Sequence, residues 1–292
     1  MGVCLIMNIM SNRREFLKKS LIGAAAVAIP GTFANEAFGK PSATQVQSTA
    51  YKVGYQLYGI RQLLSADPDG TMKAVSNCGV EGVEYSGMTN TPAITFRLLQ
   101  NKYNLVCCGI HHGLTEWIQK GPNFQMEYSY ILGNPDLACH WLDNPQRGSL
   151  ENYLSHAKYF NELLPTLKKN GFNFYYHNHQ FEFQEVYNGK YAMDIMLENT
   201  DPSLFLMELH ISGLPADLNI PKYIEKLGGR LLKMHISVLD VNGAITVTQD
   251  IIDAAKKSGS CKWFIIEQPV PDKPNCESLA RAIDVLRDML YK

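Results

Sequence analysis

The chain has 292 residues, 46% of them hydrophobic and 19% charged, with a formal net charge of −1. That balance is the one of a globule with a sizeable core. It excludes the basic footprint of a protein that binds DNA, RNA or an anionic membrane, and it suits neutral, polyhydroxylated ligands.

The run Asn12-Arg13-Arg14-Glu15-Phe16-Leu17-Lys18-Lys19 precedes an apolar stretch from Leu21 to Pro30 and then small and polar residues. A basic region, a short apolar region and a small-residue exit spell an export signal, and the paired arginines point to the twin-arginine route. The apolar stretch is about half of the roughly 20 residues that a membrane span needs. No Cys stands near the expected cleavage region, residues 37 to 43, so no stable membrane anchor is expected. Residues 1–39 therefore read as a twin-arginine signal peptide, 40–50 as a Ser/Thr/Gln-rich linker, and 51–292 as a single domain of a periplasmic protein. Of the seven cysteines, those beyond Cys4 show neither CxxC nor metal-finger spacing. Cys107, Cys108 and Cys139 lie in apolar runs and read as core residues.

Beyond the linker one grammar repeats. Val53 to Tyr58 is strand-like; Asp67-Pro68 opens a helix that Gly79 ends; Val80 to Tyr85 is the second strand; Thr91-Pro92 opens the next helix. A capping side chain followed by Pro marks a helix start, because the cap accepts a free N–H and Pro has none to satisfy. Leu105 to Ile110 is the third strand and Leu137 to His140 the fourth, with Glu116 to Arg147 fitting the alternation least well. Ser149 starts a long helix ending at Asn170-Gly171. The remaining strands are Phe172 to His177, Leu204 to Leu209, Leu231 to Ile236 and Trp263 to Glu267. Helical patterns cover Lys190 to Asn199, Pro221 to Leu227, Thr248 to Ser258 and Cys276 to Tyr291. Helix, Gly, then apolar strand recurs at Gly79, Gly171, Gly229 and Gly259. Eight strands alternating with helices predict a parallel, closed (β/α)8 TIM barrel. No GxGxxG or GxxxxGK[ST] loop supports a nucleotide-binding open sheet.

In such a barrel the chemistry sits at the C-terminal ends of the strands. Those ends carry Gln56 and Tyr58, Glu84, His111 and His112, His140, His177 and His179, Glu208 and His210, His235, and Glu267. Of eight histidines only His156 falls on a helix. Imidazole and carboxylate together suit Zn, Mn, Co or Fe. His177 and His179, like Glu208 and His210, are two apart, so each pair shares a strand face at about 6–7 Å. One member of each pair reaches a central cation while the other meets substrate.

The string Tyr175-Tyr176-His177-Asn178-His179-Gln180-Phe181-Glu182-Phe183 resembles a signature of the sugar phosphate isomerase/epimerase family, whose fold is the xylose-isomerase-like barrel. Weaker likenesses follow in order: Gly54 to Tyr58, Gly82-Val83-Glu84, Glu208-Leu209, Met234-His235-Ile236 and Ile266-Glu267-Gln268. The resemblance implies one divalent metal ion (Zn, Mn or Co) held by His177, His210, His235 and Glu267. It departs from the family at His210, where an Asp is usual, and at Ser237, where a Lys is usual. Imidazole in place of carboxylate favours softer metals.

The implied reaction is proton abstraction beside a carbonyl, with Glu267 moving the proton and His177, His179 or Glu182 as its partner. Gln56, Tyr58, Glu84, His111 and His112 are expected to bind hydroxyls, together with His179, Glu208 and, less centrally, Trp141. Export makes an unphosphorylated sugar or keto-glycoside the expected substrate, for isomerisation or epimerisation. A 3-keto-glycoside lyase or hydratase would use the same site. A non-catalytic carbohydrate-binding barrel is the reading that His210 and Ser237 favour. An abasic-site endonuclease shares the fold, but the near-neutral charge and the export signal oppose it. The family habit implies a homodimer.

Overall fold

A computed structural model describes residues 51–87, 91–267 and 277–292. The expected export signal and linker, residues 1–50, lie outside these, as do Gln268 and Cys276.

Eight parallel strands close on themselves: β1 (Lys52–Gln56), β2 (Gly82–Tyr85), β3 (Val106–Gly113), β4 (Asp136–Trp141), β5 (Asn173–His177), β6 (Phe205–His210), β7 (Leu231–Ile236) and β8 (Trp263–Ile266). Their spatial order is their chain order, with β1 hydrogen-bonded to both β2 and β8. The longer helices between and after them are α1 (Pro68–Asn77), α2 (Ala93–Lys102), α3 (Leu114–Leu132), α4 (Leu150–Lys169), α5 (Ala192–Glu198), α6 (Ile220–Leu227), α7 (Gln249–Lys257) and α8 (Glu277–Leu290), with short ones at Arg61–Ala66 and Phe181–Gln184. This is the (β/α)8 barrel expected from the alternation. No helix among the described residues is long and apolar enough to cross a membrane.

The helix starts follow from their caps. Asp67 accepts from the Gly70 N–H at 2.9 Å, Ser149 from Asn152 at 3.1 Å and Asn219 from Lys222 at 3.0 Å. Each satisfies one N–H that the helix leaves free. Pro92, rather than Thr91, takes the N-cap position of α2. Gly79 (φ 93°) and Gly171 (φ 83°) turn the chain from helix into strand in the left-handed region, as expected. After α6 that role falls to Gly228 (φ 51°), not Gly229.

Two elements differ from the sequence reading. The segment from Glu116 lies largely in α3, a helix broken at Gly121 (φ 75°, ψ 167°) just before Pro122. Strand β3 runs to Gly113, past the expected end at Ile110, because a bulge intervenes. Val83 pairs with Cys107 but Glu84 pairs with Gly109, leaving Cys108 as the extra residue. Gly109 is needed there: a Cβ would collide with the Glu84 carboxylate and the Tyr175 hydroxyl. The bulge thus lets two polar side chains meet against bare backbone.

Outward-facing strand residues and the helices form the apolar layer, in which Trp117, Phe160, Phe174, Tyr176 and Phe205 stack edge to face or at a tilt. The barrel interior is different: it is lined by polar and charged side chains, and they define the site.

Candidate metal centre at the barrel mouth

Side chains alternate across a strand, so one face of each strand points into the barrel. That face carries Gln56, Glu84, His111, Tyr175 with His177, Glu208 with His210, and Lys233 with His235. Glu267 follows immediately after β8.

The deeper level is a set of linked hydrogen bonds. The Glu84 carboxylate accepts from Gln56 Nε2 at 2.9 Å and from the Tyr175 hydroxyl at 2.7 Å, and lies 3.1 Å from His111 Nε2. His111 Nε2 is also 3.0 Å from Glu208 Oε2, which in turn is 2.8 Å from His177 Nδ1. Lys233, fully buried two residues below His235, donates to the Cys108 carbonyl. It sits over the Tyr175 ring at 4.0 Å and faces Asp136 at 3.5 Å. Burial opposes charge at every one of these groups, but the partners outweigh it for some. The charge of Glu84 and the bonds to both carboxylates raise His111 to about 10, so it stands as an imidazolium. Against burial, His111 and then Lys233 hold the Glu84 carboxyl well below its usual range. Glu208 goes the other way: burial and the neighbouring Glu84 charge push it up.

At the mouth the pattern changes. The His177 ring lies 5.0 Å from His179, 5.0 Å from His210 and 4.6 Å from His235, centroid to centroid. His210 Nε2 is 3.3 Å from Glu267 Oε2, and His235 Nδ1 is 3.7 Å from the same oxygen. Both ring nitrogens of His210 and of His235, Nδ1 of His179 and Oε1 of Glu208 are buried without a hydrogen bond. Burial, reinforced by the neighbouring rings, pushes His177 and His235 well below the ordinary imidazole value, His179 to about 3 and His210 to about 4. These rings are therefore neutral, the form that ligates metals. Burial raises Glu267, opposed in part by His111. Three overlapping groups bring one donor atom from each member within 4.8 Å of the others: His177, His179 and His210; His111, His177 and Glu208; His210, His235 and Glu267. The first and third groups, with their unmet bonding capacity, fit a divalent cation, whereas the protonated His111 has no lone pair to offer one.

Of the ligands implied by the resemblance, His210, His235 and Glu267 meet in one group, while His177 falls in the other two. Gln56, Glu84, His111 and Glu208 all face the interior but are buried within the deeper set, bonded to one another. Two residues turn away. His112 cannot share a face with His111; it points outward beneath α3, 3.7 Å from Glu116 and edge-on to Trp117 at 6.2 Å. Glu182 likewise lies in the outer layer, where it accepts from the Tyr176 hydroxyl at 2.7 Å and from the His179 N–H at 2.8 Å. It braces the loop after β5, and burial raises its carboxyl to about 8. Tyr58 stands exposed at the rim, with Arg61 over its ring at 4.0 Å. Trp141 and Phe181 wall His179, at 5.0 and 5.9 Å between centroids.

Three side chains went unread in the sequence. Lys233 and Tyr175 lie below strand ends; their spacing of two from His235 and His177 was the available signal. Asn178 bonds to both backbone atoms of His210, accepting from its N–H at 3.0 Å and donating to its carbonyl at 2.9 Å. It extends the β5–β6 ladder by a side chain where the strands end.

No model of a protein family matches this chain, and no curated protein matches it. Solved structures do. A sugar phosphate isomerase/epimerase from Parabacteroides distasonis aligns at TM-score 0.67 and 20% identity, over 81% of this chain and 98% of that one. A D-psicose 3-epimerase with D-tagatose from Clostridium cellulolyticum aligns at 0.62 and 13%, over 82% and 99%. An AP endonuclease, family 2, from Brucella melitensis aligns at 0.56 and 12%, over 79% and 98%. At such identities the likeness is one of fold, shared by several chemistries.

Proposed function

We propose that this barrel is a metal-dependent enzyme of the sugar isomerase/epimerase kind, acting on an unphosphorylated sugar or keto-glycoside. The observation that carries this reading is the set of buried, neutral histidine nitrogens without hydrogen bonds that converge beside Glu267. Leaving so many polar atoms unbonded costs stability, and a bound cation with a polyol substrate would repay it. Sugar isomerases and epimerases among the structures of like fold support the same class, and the net charge of −1 speaks against nucleic acid.

A divalent cation would be held around His210, which two of the three donor groups share, with His177, His235 and Glu267 as the further candidates. When bound, it supplies Lewis-acid polarisation of a carbonyl and fixes the neighbouring oxygens of the sugar. The rest falls to the chain. Glu267, 29% exposed at the mouth, is the carboxylate placed to take the proton beside that carbonyl. Such a base contributes about 10²–10⁴-fold. The His111 imidazolium, braced by Glu84 and Glu208, keeps positive charge beneath the place where negative charge develops. Trp141 and His179 wall the mouth where a ring would enter. Loss of a group β to the carbonyl would follow from the same abstraction, so a lyase acting on 3-keto-glycosides shares this mechanism.

Deuterium exchange from D2O into keto-sugars and 3-keto-glycosides, followed by NMR, tests this. Exchange that depends on added Zn, Mn or Co and falls at least about 10²-fold in Glu267→Gln is expected. Sugar binding without exchange under any metal would leave a carbohydrate-binding barrel instead. We further propose a periplasmic location from Arg13-Arg14 and the apolar run after it. Cell fractionation reads it. A chain found only in the cytoplasmic fraction would sink that proposal, while export that survives replacement of both arginines by lysine would sink the twin-arginine route alone.

A further inference from the structure

A net charge near zero conceals a local one. Arg147 lies in the loop between β4 and α4, and its guanidinium packs over the Phe181 ring at 4.2 Å and the Trp141 ring at 5.5 Å. The same two rings stand beside His179, at 5.9 and 5.0 Å between centroids, so one side chain separates the arginine from the mouth. We infer that Arg147 recognises a carboxylate on the substrate, remote from the reacting carbonyl, which makes that substrate a sugar acid rather than a neutral sugar.

Three observations converge on this. The loop that carries the arginine is firmly built. Asp143 accepts from the Thr115 hydroxyl at 2.5 Å and from Trp141 Nε1 at 3.1 Å, while its own N–H donates to Gln146 at 2.8 Å. On the other side of Arg147, the Gly148 N–H donates to Glu185 at 2.9 Å. Next, the guanidinium is aimed. Nε and Nη2 both donate to Asn144 Oδ1, the first at 3.1 Å. Ring stacking occupies its face, and Asn144 holds one edge. The edge made by Nη1 and Nη2 is left open, and two parallel N–H groups on such an edge match a carboxylate. Finally, the half-buried Arg147 forms no ion pair among the described residues. Its acidic neighbours are engaged elsewhere, Asp143 as above and Glu185 by Gly148 and by the Tyr187 hydroxyl at 2.8 Å. A ligand can bring the counter-charge that the chain withholds. Carboxylate suits this shelf better than phosphate: a dianion would meet one guanidinium and two acidic side chains, whereas a single charge is balanced by a single fork.

The carboxylate site rests on the proposed function for its reaction but fails separately from it, because it is read by binding alone. The test is NMR titration of the whole chain with D-glucuronate, D-galacturonate and D-mannuronate, each against its parent hexose and the hexose 6-phosphate. The native protein, Arg147→Gln and Arg147→Lys are compared, with thermal midpoints verifying that each is folded. The expected result is at least one uronate bound about 10-fold or more tightly than its hexose by the native protein. That preference should vanish in Arg147→Gln and survive only in part in Arg147→Lys, which keeps the charge but not the fork. Equal affinity for uronates and hexoses, or a preference that persists in Arg147→Gln, overturns the inference. A hexose 6-phosphate bound more tightly than the matching uronate overturns the choice of carboxylate. In each of these cases metal-dependent deuterium exchange into neutral keto-sugars would still stand for the enzymatic reading. Uronate binding through Arg147 without exchange under any metal would instead sink that reading and leave the carboxylate site in place.

Discussion

Two levels of one barrel, a few ångströms apart, treat buried polarity in opposite ways. Below the mouth, Glu84, Tyr175, Gln56 and His111 form a bonded set, with Lys233 beside them against Asp136 and the Cys108 carbonyl. At the mouth, His210 and His235 are as deeply placed, yet neither ring makes a hydrogen bond. A satisfied interior polar group is part of how the chain folds; an unsatisfied one is a cost that folding alone does not explain. The contrast holds along the barrel interior; in the outer layer both ring nitrogens of His112 are likewise without a hydrogen bond.

It can be broken, and the largest effect is expected at the bottom. Lys233→Ala would leave Asp136 and the Cys108 carbonyl without their ammonium, and truncating one partner of a buried pair costs about 3–5 kcal/mol. A urea midpoint that barely moves would show that the lower set is not holding the fold. At the mouth the sign should differ: His235→Leu, measured free of metal, should change stability by no more than about 1 kcal/mol, in either direction, because two unbonded nitrogens are removed. A loss as large as that of Lys233→Ala would erase the distinction between the levels.

A third test concerns the boundary between the barrel and its outer layer. Glu182 is raised by burial to about 8 from an unfolded value of 4.5. The folded state therefore holds the proton more tightly than the unfolded chain. Its contribution to stability is full below about pH 4.5 and is lost as pH rises towards 8. Glu182→Gln should flatten that decline, read as the difference in thermal midpoint between pH 5 and pH 8. Parallel curves for the two proteins would contradict the burial of this carboxyl.

How much of this could be read from the sequence depends on which signal each residue carries. Strand β7 was placed at Leu231–Ile236 by its apolar run, and the histidines at strand ends marked the mouth. Helix α3 was obscured because Gly121-Pro122 interrupts its periodicity at the kink. The end of β3 was missed because a bulge has no one-dimensional signature, and with it the outward turn of His112. Lys233 was passed over for a different reason. A lysine between apolar residues reads as an edge or a snorkelling side chain, and only the closure of the barrel turns its face inward. Periodicity reports which residues share a face; it does not report which faces meet.

The Asn178 amide grips the main chain of His210 and leaves its side chain alone. The place of residue 210 in space is thereby decoupled from its chemical identity. An aspartate or a histidine there would project from the same anchored backbone into the same mouth. On the proposed reading, such an arrangement would let the preference for a cation drift by single substitutions while the strand ends stay where they are. A barrel mouth secured in this way can be retuned one donor at a time.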